Sequence, residues 1–345
     1  MIAVKKEGIV LLPTALAFEN VGVLNPGVFQ DGVVVHLFYR AVREGNYSTI
    51  GYCRLDGPLT VAERLNTPVI VPFFDYEERG VEDPRIVKID GIYYLTYNAY
   101  DGVNALGALL TSSDLVHFER HGLLAPQLSF DDFRCLAVCN NLVNKKYFRH
   151  TRHFDRSEKV YLWNKDVIFF PRRINGKLCF LHRIKPGIQI VAVNDLAELT
   201  KSFWDHYFLH FNEHIVLDPI GDGFEAGFVG GGCPPIETAH GWLLIYHGVH
   251  DTASGYVYSA CAALLALDTP SQVMARLPYP LFVPELPYEL NGVVDNVVFP
   301  TGTALFDDTL YIYYGAADTC IAVASLSFTE LINQLLITKQ EQNEK

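Results

Sequence analysis

The chain has 345 residues, half of them apolar, so it is long enough to bury a sizeable core. Charged residues make up only 19% of it, and the formal net charge of −12 argues against a polyanion-binding surface, because nucleic-acid binding depends on clustered Lys and Arg. No stretch approaches the roughly 20 apolar residues that a membrane-spanning helix needs.

The first apolar run, residues 9–12, predicts a β-strand. Small residues at 15–17 resemble a signal-peptide cleavage site, but Glu7 interrupts the basic region and Pro13 ends the run after four residues. We therefore expect a strand here and not a secretion signal.

One hairpin pattern then recurs five times: a polar turn pair followed by a β-rich strand. Asp-Gly and Asn-Gly pairs supply the positive φ angles that tight hairpins require. The copies are Gln30-Asp31-Gly32 before 33–40, Asp90-Gly91 before 92–98, Asn175-Gly176 before 177–183, His240-Gly241 before 242–247, and Asp307-Asp308 before 310–314. Counted from Asp31, Asp90, Asn175, His240 and Asp307, the spacings are 59, 85, 65 and 67 residues.

Each interval has room for about four short strands, which is the size of a propeller blade. We predict an all-β fold, a single five-bladed β-propeller over residues 1–345. In such a fold, equivalent strand ends converge on a central channel. The residues expected there are Arg40, Asn98, Arg183, His247 and Asp318.

The C-terminal segment 327–336 predicts a short helix, and residues 337–345 a solvated tail. The seven cysteines are odd in number and contain no C-x-x-C pair. They indicate reduced thiols in a cytoplasmic protein, and no nearby side chains complete a metal site.

Asp83 is the strongest candidate for an acid. It lies in Val81-Glu82-Asp83-Pro84-Arg85, where Pro84 restricts the backbone of the residue before it. Arg85 could hold a carboxylate or sugar hydroxyls. On the motif alone, a surface turn with a salt-bridged Arg is the favoured interpretation, and an aromatic-rich channel shifts the balance toward catalysis.

Phosphate is the ligand that the cationic and hydroxyl candidates could bind. These candidates are Lys165, Arg183, His247 and Tyr258. The glycine run 230–232 lacks the Lys-Ser or Lys-Thr of a nucleotide-binding P-loop and precedes a strand, so we reject that interpretation.

The chain resembles glycoside hydrolase family 130 along nearly its whole length. The matching segments, in chain order, are 24–27, 39–41, 80–97, 169–171 with 181–183, 232–248, 296–302 and 313–319. The longest of them begins Gly80-Val-Glu-Asp-Pro-Arg. Their order and extent make the resemblance more specific than any single motif.

The resemblance implies a five-bladed propeller that acts on β-mannosides, by phosphorolysis to α-mannose 1-phosphate or by hydrolysis of β-1,2 links. It implies that Asp83 is the catalytic acid and that Asn25, Arg40 and Asp318 bind mannose. In family members that act on β-1,4 links, the proton is thought to pass through a mannose hydroxyl. We also assign Arg85 and Asn98 to substrate binding.

The same resemblance places Arg183, His247 and Tyr258 at phosphate-binding positions. Lys165 stands where an Arg is usual, which keeps the charge but loses the bidentate fork. Phe228 replaces a Lys that is frequent in the family, and Glu225 offers an additional acid.

Three hypotheses follow. The leading one is an inverting β-mannoside phosphorylase, which needs cations for phosphate and no second carboxylate. The second is an inverting β-mannosidase, motivated by Phe228 and Glu225, and the third is a non-catalytic glycan-binding propeller. We expect no cofactor or metal, with inorganic phosphate as co-substrate. A β-linked mannoside and phosphate are the expected partners, without nucleic acid or membrane, and the sequence leaves a homo-oligomer open.

Overall fold

The computed structural model describes residues 2–138, 145–148, 159–253 and 255–343. In this part of the chain the protein is mostly β, as the composition predicts, and it ends in a helix. No helix among the described residues has both the length and the apolar character to cross a membrane.

The strands follow one another in antiparallel groups. The first groups contain β1 (Lys5–Leu11), β2 (Gly22–Asp31), β3 (Val34–Arg43), β4 (Tyr47–Asp56), β5 (Thr60–Arg64), β6 (Gly80–Ile89), β7 (Ile92–Tyr100), β8 (Ala105–Ser112) and β9 (Glu119–Leu123). The later groups contain β10 (Lys165–Phe169), β11 (Leu178–Ile184), β12 (Gly187–Val193), β13 (Ile215–Leu217), β14 (Phe228–Gly231), β15 (Ile236–Thr238), β16 (Gly241–Thr252), β17 (Gly255–Leu265), β18 (Val273–Arg276), β19 (Val298–Phe306), β20 (Thr309–Ala316) and β21 (Cys320–Ser327).

Within the described residues these strands form four sheets. Two have four strands, in the orders β10-β11-β12-β13 and β1-β21-β20-β19, and a third joins β14, β16, β17 and β18 with β15 added to β16. The fourth has eight strands, because a single parallel bridge between Ser48 and Gly80 links β2–β5 to β6–β9. The N-terminal strand, predicted at 9–12, thus completes the sheet formed by the last three strands of the chain.

All five predicted hairpins are confirmed. Their turns lead into β3, β7, β11, β16 and β20, and each of these strands pairs in antiparallel register with the strand before its turn or, for β11, across the 174–177 bridge. Asp90, Asn175 and Asp307 have φ near 50°, which Asp and Asn tolerate better than most residues.

The described part of the chain also contains four α-helices: α1 (Phe130–Val138), α2 (Lys201–Leu209), α3 (Pro287–Leu290) and α4 (Phe328–Asn343). The aromatic side chains of α1 and α2 pack together, with Phe133 against Phe208 at a ring separation of 5.6 Å. The C-terminal helix α4 extends beyond the predicted 327–336 to Asn343, and Thr338 is buried although it falls in the predicted tail.

A buried tyrosine–carboxylate–cation triad recurs in four of the strand groups. In each, a tyrosine of the second strand donates its hydroxyl to a glutamate that precedes the first strand, and a cation of the outermost strand pairs with the same carboxylate. The triads are Tyr39-Glu19-Arg64, Tyr97-Glu77-Arg120, Tyr246-Glu225-Arg276 and Tyr314-Glu289-Lys6. Their ion-pair distances are 2.9, 3.3, 2.6 and 2.6 Å in that order.

The remaining group has a histidine at the equivalent position. His182 of β11 contacts Asn164 at 2.9 Å and the Tyr207 hydroxyl of α2 at 2.7 Å. Burial lowers the pKa of His182 to about 3, so the ring is neutral. A neutral imidazole and an amide therefore replace the charged triad in this group.

Replacing Tyr97 with Phe should destabilise the protein, because Glu77 stays buried and loses a donor. We expect a loss of about 1–3 kcal/mol in the free energy of unfolding, the usual cost of an unsatisfied buried group. Urea unfolding measures it. Tyr93→Phe is the matched control, since the hydrogen bond of the Tyr93 hydroxyl among the described residues is to the exposed Lys88 at 3.2 Å. Equal stability of the two variants would show that the triad contributes nothing.

Candidate functional site

The site begins with the residues that directly follow a triad tyrosine in the sequence. Arg40 follows Tyr39 in β3, and Asn98 follows Tyr97 in β7. Side chains alternate across a strand, so Arg40 and Asn98 point away from the interior that holds Tyr39 and Tyr97. The structure brings them to one carboxylate: Asn98 Nδ2 lies 3.3 Å from Asp83 Oδ2, and Arg40 Nη1 lies 3.6 Å from Asp83 Oδ1. The predicted convergence of these strand ends is thus observed around Asp83.

Asp83 is held in a fixed orientation. Its backbone has φ of 50°, and Asn25 donates its side-chain amide to Oδ1 at 2.7 Å. The carboxylate is 6% exposed. The two amides of Asn25 and Asn98 therefore hold both oxygens, and one edge of the group is left near Arg40.

Burial by itself raises the pKa of Asp83, but the nearby cations outweigh it. Arg40, Lys165 and Arg85 together hold the pKa of this carboxyl below its usual range. Its neighbour Glu82 behaves oppositely: burial raises the pKa of Glu82, although Arg40 contacts it at 2.7 Å. Two adjacent carboxyls thus share one arginine, and Asp83 is the one that is more readily ionised.

Asp318 completes the carboxyl cluster. Burial, together with the negative charges of Asp83 and Glu82, raises the pKa of Asp318 to about 6, against the opposing effect of Arg40. Its φ of 51° follows the end of β20 and turns the chain back into β21. The sequence resemblance assigns it to mannose binding, and its position beside Arg40 and Asp83 is compatible with that prediction.

Arg85, which was predicted to bind substrate, is buried next to Asp83. Its side chain is 2% exposed and does not line the cavity described below. The guanidinium donates to the carbonyls of Asp83 at 2.9 Å, Pro84 at 3.2 Å and Gly232 at 2.5 Å. Its hydrogen bonds fix the backbone around Asp83, and its predicted contact with substrate stays a prediction.

The predicted phosphate-binding residues lie on the other side of Asn98. Asn98 accepts the backbone N–H of Asp166 at 3.0 Å, and the Asp166 carboxylate pairs with Arg183 Nε at 2.9 Å. Lys165 stands opposite Arg183 in the β10–β11 register. Asn98 therefore links the acid to the cationic side of the site.

His247 lies close to Asp166, on the cationic side of the site, and is fully buried. Its Nε2 is 3.9 Å from Asp166 Oδ2, and neither ring nitrogen has a hydrogen-bond partner among the described residues. Burial, with help from Arg183 and Arg85, lowers the pKa of His247 well below its usual value. The neutral ring can donate one hydrogen bond without adding charge.

Tyr258 lies next to His247. Its ring centroid lies 6.0 Å from that of His247, and burial raises the pKa of Tyr258 to about 12. The hydroxyl therefore stays protonated at neutral pH and can donate to an anion.

The glycines that we excluded as a P-loop serve close packing. A Cβ at Gly230 would collide with the His247 ring and lie 2.8 Å from Asp166 Oδ2. Only glycine lets β14 pass so near these two side chains.

A cavity of about 320 Å³ opens over the cationic side. It is lined by Arg40, Asn46, Glu82, Tyr100, Ala105, Trp163, Lys165, Arg183, Lys185, Phe228, Tyr256 and Tyr258. Four of these side chains are cations and one is a carboxylate. Lys185 and Tyr256 were missed by the sequence analysis, and Lys185 lies in the turn after β11, beyond the strand end at Arg183.

Glu225 does not line this cavity, contrary to the proposal that it is an additional acid. Its carboxylate is held by Arg276 at 2.6 Å and by the Tyr246 hydroxyl at 3.0 Å, as one of the four recurring triads. Glu225 is therefore a structural carboxylate. Among the described residues, no cluster of three or more His, Cys, Asp or Glu side chains could hold a metal ion.

Comparisons with known proteins agree with this arrangement. The sequence model of a family described as beta-1,4-mannooligosaccharide phosphorylase matches residues 16–336. The chain is 38% identical over 331 residues to a 1,2-beta-oligomannan phosphorylase of Thermoanaerobacter sp., covering 93% of this chain and 96% of that protein. It is 36% identical to a beta-1,2-mannobiose phosphorylase of the same organism, covering 89% and 90%.

A solved structure is similar over nearly the full length. It is the beta-1,2-mannobiose phosphorylase of Listeria innocua in complex with beta-1,2-mannobiose, with a TM-score of 0.72 and 25% identity. The alignment covers 97% of this chain and 99% of that one. Fold and sequence thus agree on the same group of relatives.

Asp318→Asn should stabilise the protein in a pH-dependent way. The pKa of Asp318 is about 6 in the folded protein, above the usual value near 3.9 of an unfolded chain, so ionisation opposes folding. The variant should match wild type near about pH 3, where Asp318 is protonated in both states. Its thermal midpoint should exceed that of wild type increasingly between about pH 4 and 6 and keep that advantage at higher pH, as calorimetry can measure.

Asp307→Asn is the control for this series, because Asp307 has the same left-handed backbone in an exposed turn. It should show no such pH dependence. A constant difference between Asp318→Asn and wild type from pH 4 to 8 would contradict the raised pKa.

Proposed function

The chain belongs to glycoside hydrolase family 130, and from this premise we propose that it is an inverting β-mannoside phosphorylase. It cleaves a β-mannosidic bond with inorganic phosphate and releases α-mannose 1-phosphate. The observation that carries the proposal is the cavity of about 320 Å³, in which the cations Arg40, Lys165, Arg183 and Lys185 lie beside the buried acid Asp83.

The charge of the cavity favours phosphate over water as the nucleophile. An inverting hydrolase needs a second carboxylate to activate water on the face opposite the acid. Glu82, the one carboxylate among the described lining residues, is adjacent to Asp83 and shares Arg40 with it. Asp166 is paired with Arg183, and Glu225 is held by Arg276. Phosphate needs no such base and is stabilised by cations.

We assign the steps as follows. Phosphate binds against Lys165, Arg183 and Tyr258, and His247 donates a neutral hydrogen bond. A phosphate oxygen attacks C1 of the mannose as the bond to the leaving sugar breaks, and Asp83 delivers a proton toward the leaving oxygen. The hydrogen phosphate loses one proton overall and the leaving sugar gains one, so Asp83 returns to its starting state.

The low pKa of Asp83 fits this sequence of events. In the protein alone, Arg40 and Lys165 favour the ionised carboxylate. A phosphate anion against these cations adds negative charge, which raises the pKa of a nearby carboxyl. Binding of phosphate therefore prepares Asp83 to hold the proton that it must deliver.

For the linkage, we propose β-1,2. The two relatives at 38% and 36% identity are named for β-1,2-linked mannan and mannobiose, and a relative from Ruminococcus albus named for β-1,4-mannooligosaccharides is 33% identical over 73% of this chain. Greater similarity over a greater length supports the β-1,2 substrate.

For the architecture, we propose that the strand groups are five blades around the site. The five hairpins and the four triads, with His182 in the fifth equivalent position, support this reading. The eight-stranded sheet then consists of two blades joined by the Ser48–Gly80 bridge. We retain a single catalytic domain and the cytoplasm as proposals. Free thiols at six described cysteines support the cytoplasm.

The direct test incubates the protein with β-1,2- and β-1,4-mannobiose, each with and without phosphate. We expect mannose 1-phosphate from the β-1,2 disaccharide in the presence of phosphate, and little turnover without it. Release of free mannose at the same rate without phosphate would establish the hydrolase instead.

Asp83→Asn should lower kcat on β-mannobiose by at least about 10²-fold, the lower range of general acid catalysis. Asn tolerates the φ of 50° at this position, so the fold should be kept. A dinitrophenyl mannoside should be affected much less, since its leaving group departs without a proton. Steady-state kinetics on both substrates separates lost chemistry from misfolding, which would depress both alike.

Glu225→Gln is the matched control, because it alters a buried carboxyl outside the cavity. It should reduce stability while keeping kcat close to that of wild type. An active Asp83→Asn together with a dead Glu225→Gln would overturn the assignment of the acid.

A further inference from the structure

We propose that Lys185 is a phosphate-binding residue of this enzyme and supplies the cation at the end of the cavity occupied by Phe228. The inference rests on the proposed phosphorolysis and identifies one more side chain that contacts its co-substrate. It concerns a residue to which neither the strand-end pattern nor the family resemblance gave a role.

The backbone brings Lys185 to this place. Lys185 lies in the two-residue turn between β11 and β12, two residues after Arg183. Both line the cavity. The N–H of Val229 donates to the Pro186 carbonyl at 2.8 Å, which holds β14 against the turn between β11 and β12. Phe228 and Lys185 are therefore neighbours across this contact.

Aromatic rings fix the ammonium at the cavity wall. Lys185 Nζ lies 3.8 Å from the centroid of the Phe228 ring and 5.3 Å from that of Tyr256. The Arg183 guanidinium lies 5.4 Å from the same Phe228 ring. A ring face attracts a cation without cancelling its formal charge. Phe228 thus holds two cations, and both line the space where an anion would enter.

The charge of the site explains why this matters. Arg183 lies 2.9 Å from Asp166 and Arg40 lies 2.7 Å from Glu82, so carboxylates border the same cavity as the cations. A phosphate dianion gains most from further positive charge at its end of the cavity. Lys185 provides that charge beside Arg183.

This arrangement also accounts for the departure at position 228. The resemblance described above implies a Lys at this position, and Phe228 leaves β14 without that charge. Lys185 restores one from the adjoining turn, and the Phe228 ring becomes its support. If Lys185 binds phosphate, the presence of Phe228 no longer favours a hydrolase, in which water is the nucleophile.

Lys185→Met tests the inference, because it keeps the length of the side chain and removes its charge. Calorimetric titration with inorganic phosphate should show about a tenfold or greater loss of affinity, as expected for a hydrogen bond to a charged group. In phosphorolysis the KM for phosphate should rise by a similar factor, while the KM for mannobiose changes by less than about twofold. Lys185→Arg should bind phosphate nearly as wild type does.

Two further variants control for folding and general charge. Lys177→Met removes an exposed lysine at the opposite end of β11 and should leave phosphate affinity unchanged. The double variant Lys185→Met with Phe228→Lys returns the charge to β14 and should recover part of the lost affinity. Thermal midpoints of all variants identify any that fail to fold.

The outcomes separate this inference from the proposed function. If Lys185→Met binds phosphate as tightly as wild type, or if wild type does not bind phosphate, the inference is overturned. If wild type releases no mannose 1-phosphate but phosphate affinity still falls in Lys185→Met, the anion site is supported and phosphorolysis is contradicted. If wild type is a phosphorylase whose KM for phosphate ignores Lys185, only the role of Lys185 is lost.

Discussion

The alternation of side chains along each central strand is the constraint on which the site depends. One residue turns into the protein and the next turns toward the shared site. In four strand groups the inward residue is a tyrosine bound to a buried glutamate, which is itself paired with a cation from the outermost strand. The tyrosine is held by a glutamate and a cation from two other segments of its strand group. The position of the next residue along the strand is therefore fixed as well. Arg40, Asn98 and His247 each follow such a tyrosine, and Arg183 follows His182 in the equivalent position.

This anchoring lets the site hold opposing charges close together. Three acidic groups, Glu82, Asp83 and Asp318, lie near one arginine, and their pKa values diverge: that of Asp83 is lowered and those of the other two are raised. Across Asn98, the cations of the cavity face the same space. An anionic co-substrate can then enter next to a carboxylate, because fixed cations compensate the repulsion between them. In the proposed reaction, the same balance connects phosphate binding to the protonation of Asp83.

The hairpins and the restricted backbone of Asp83 were predictable because they depend on local patterns. Turn pairs such as Asp90-Gly91 predict hairpins, and Pro84 predicts a restricted backbone at Asp83. The partners of buried charges were not predictable, since they come from segments far apart in the chain. The hydrogen bonds that Arg85 donates to backbone carbonyls near residue 232 could not be read from the sequence. Glu225 was considered as an additional acid, and its carboxylate is held by a cation 51 residues away. Lys185 was overlooked because its role depends on contact with Phe228 across two strand groups.

The central claim is that phosphate, and not water, attacks the anomeric carbon from the face opposite Asp83. The most direct test uses phosphate labelled with ¹⁸O in ordinary water, with β-1,2-mannobiose as substrate and NMR together with mass spectrometry of the first product. The account predicts α-mannose 1-phosphate whose bridging oxygen carries the label. Two molecules of free mannose per mannobiose with no sugar phosphate, or a β-configured sugar phosphate, would contradict it.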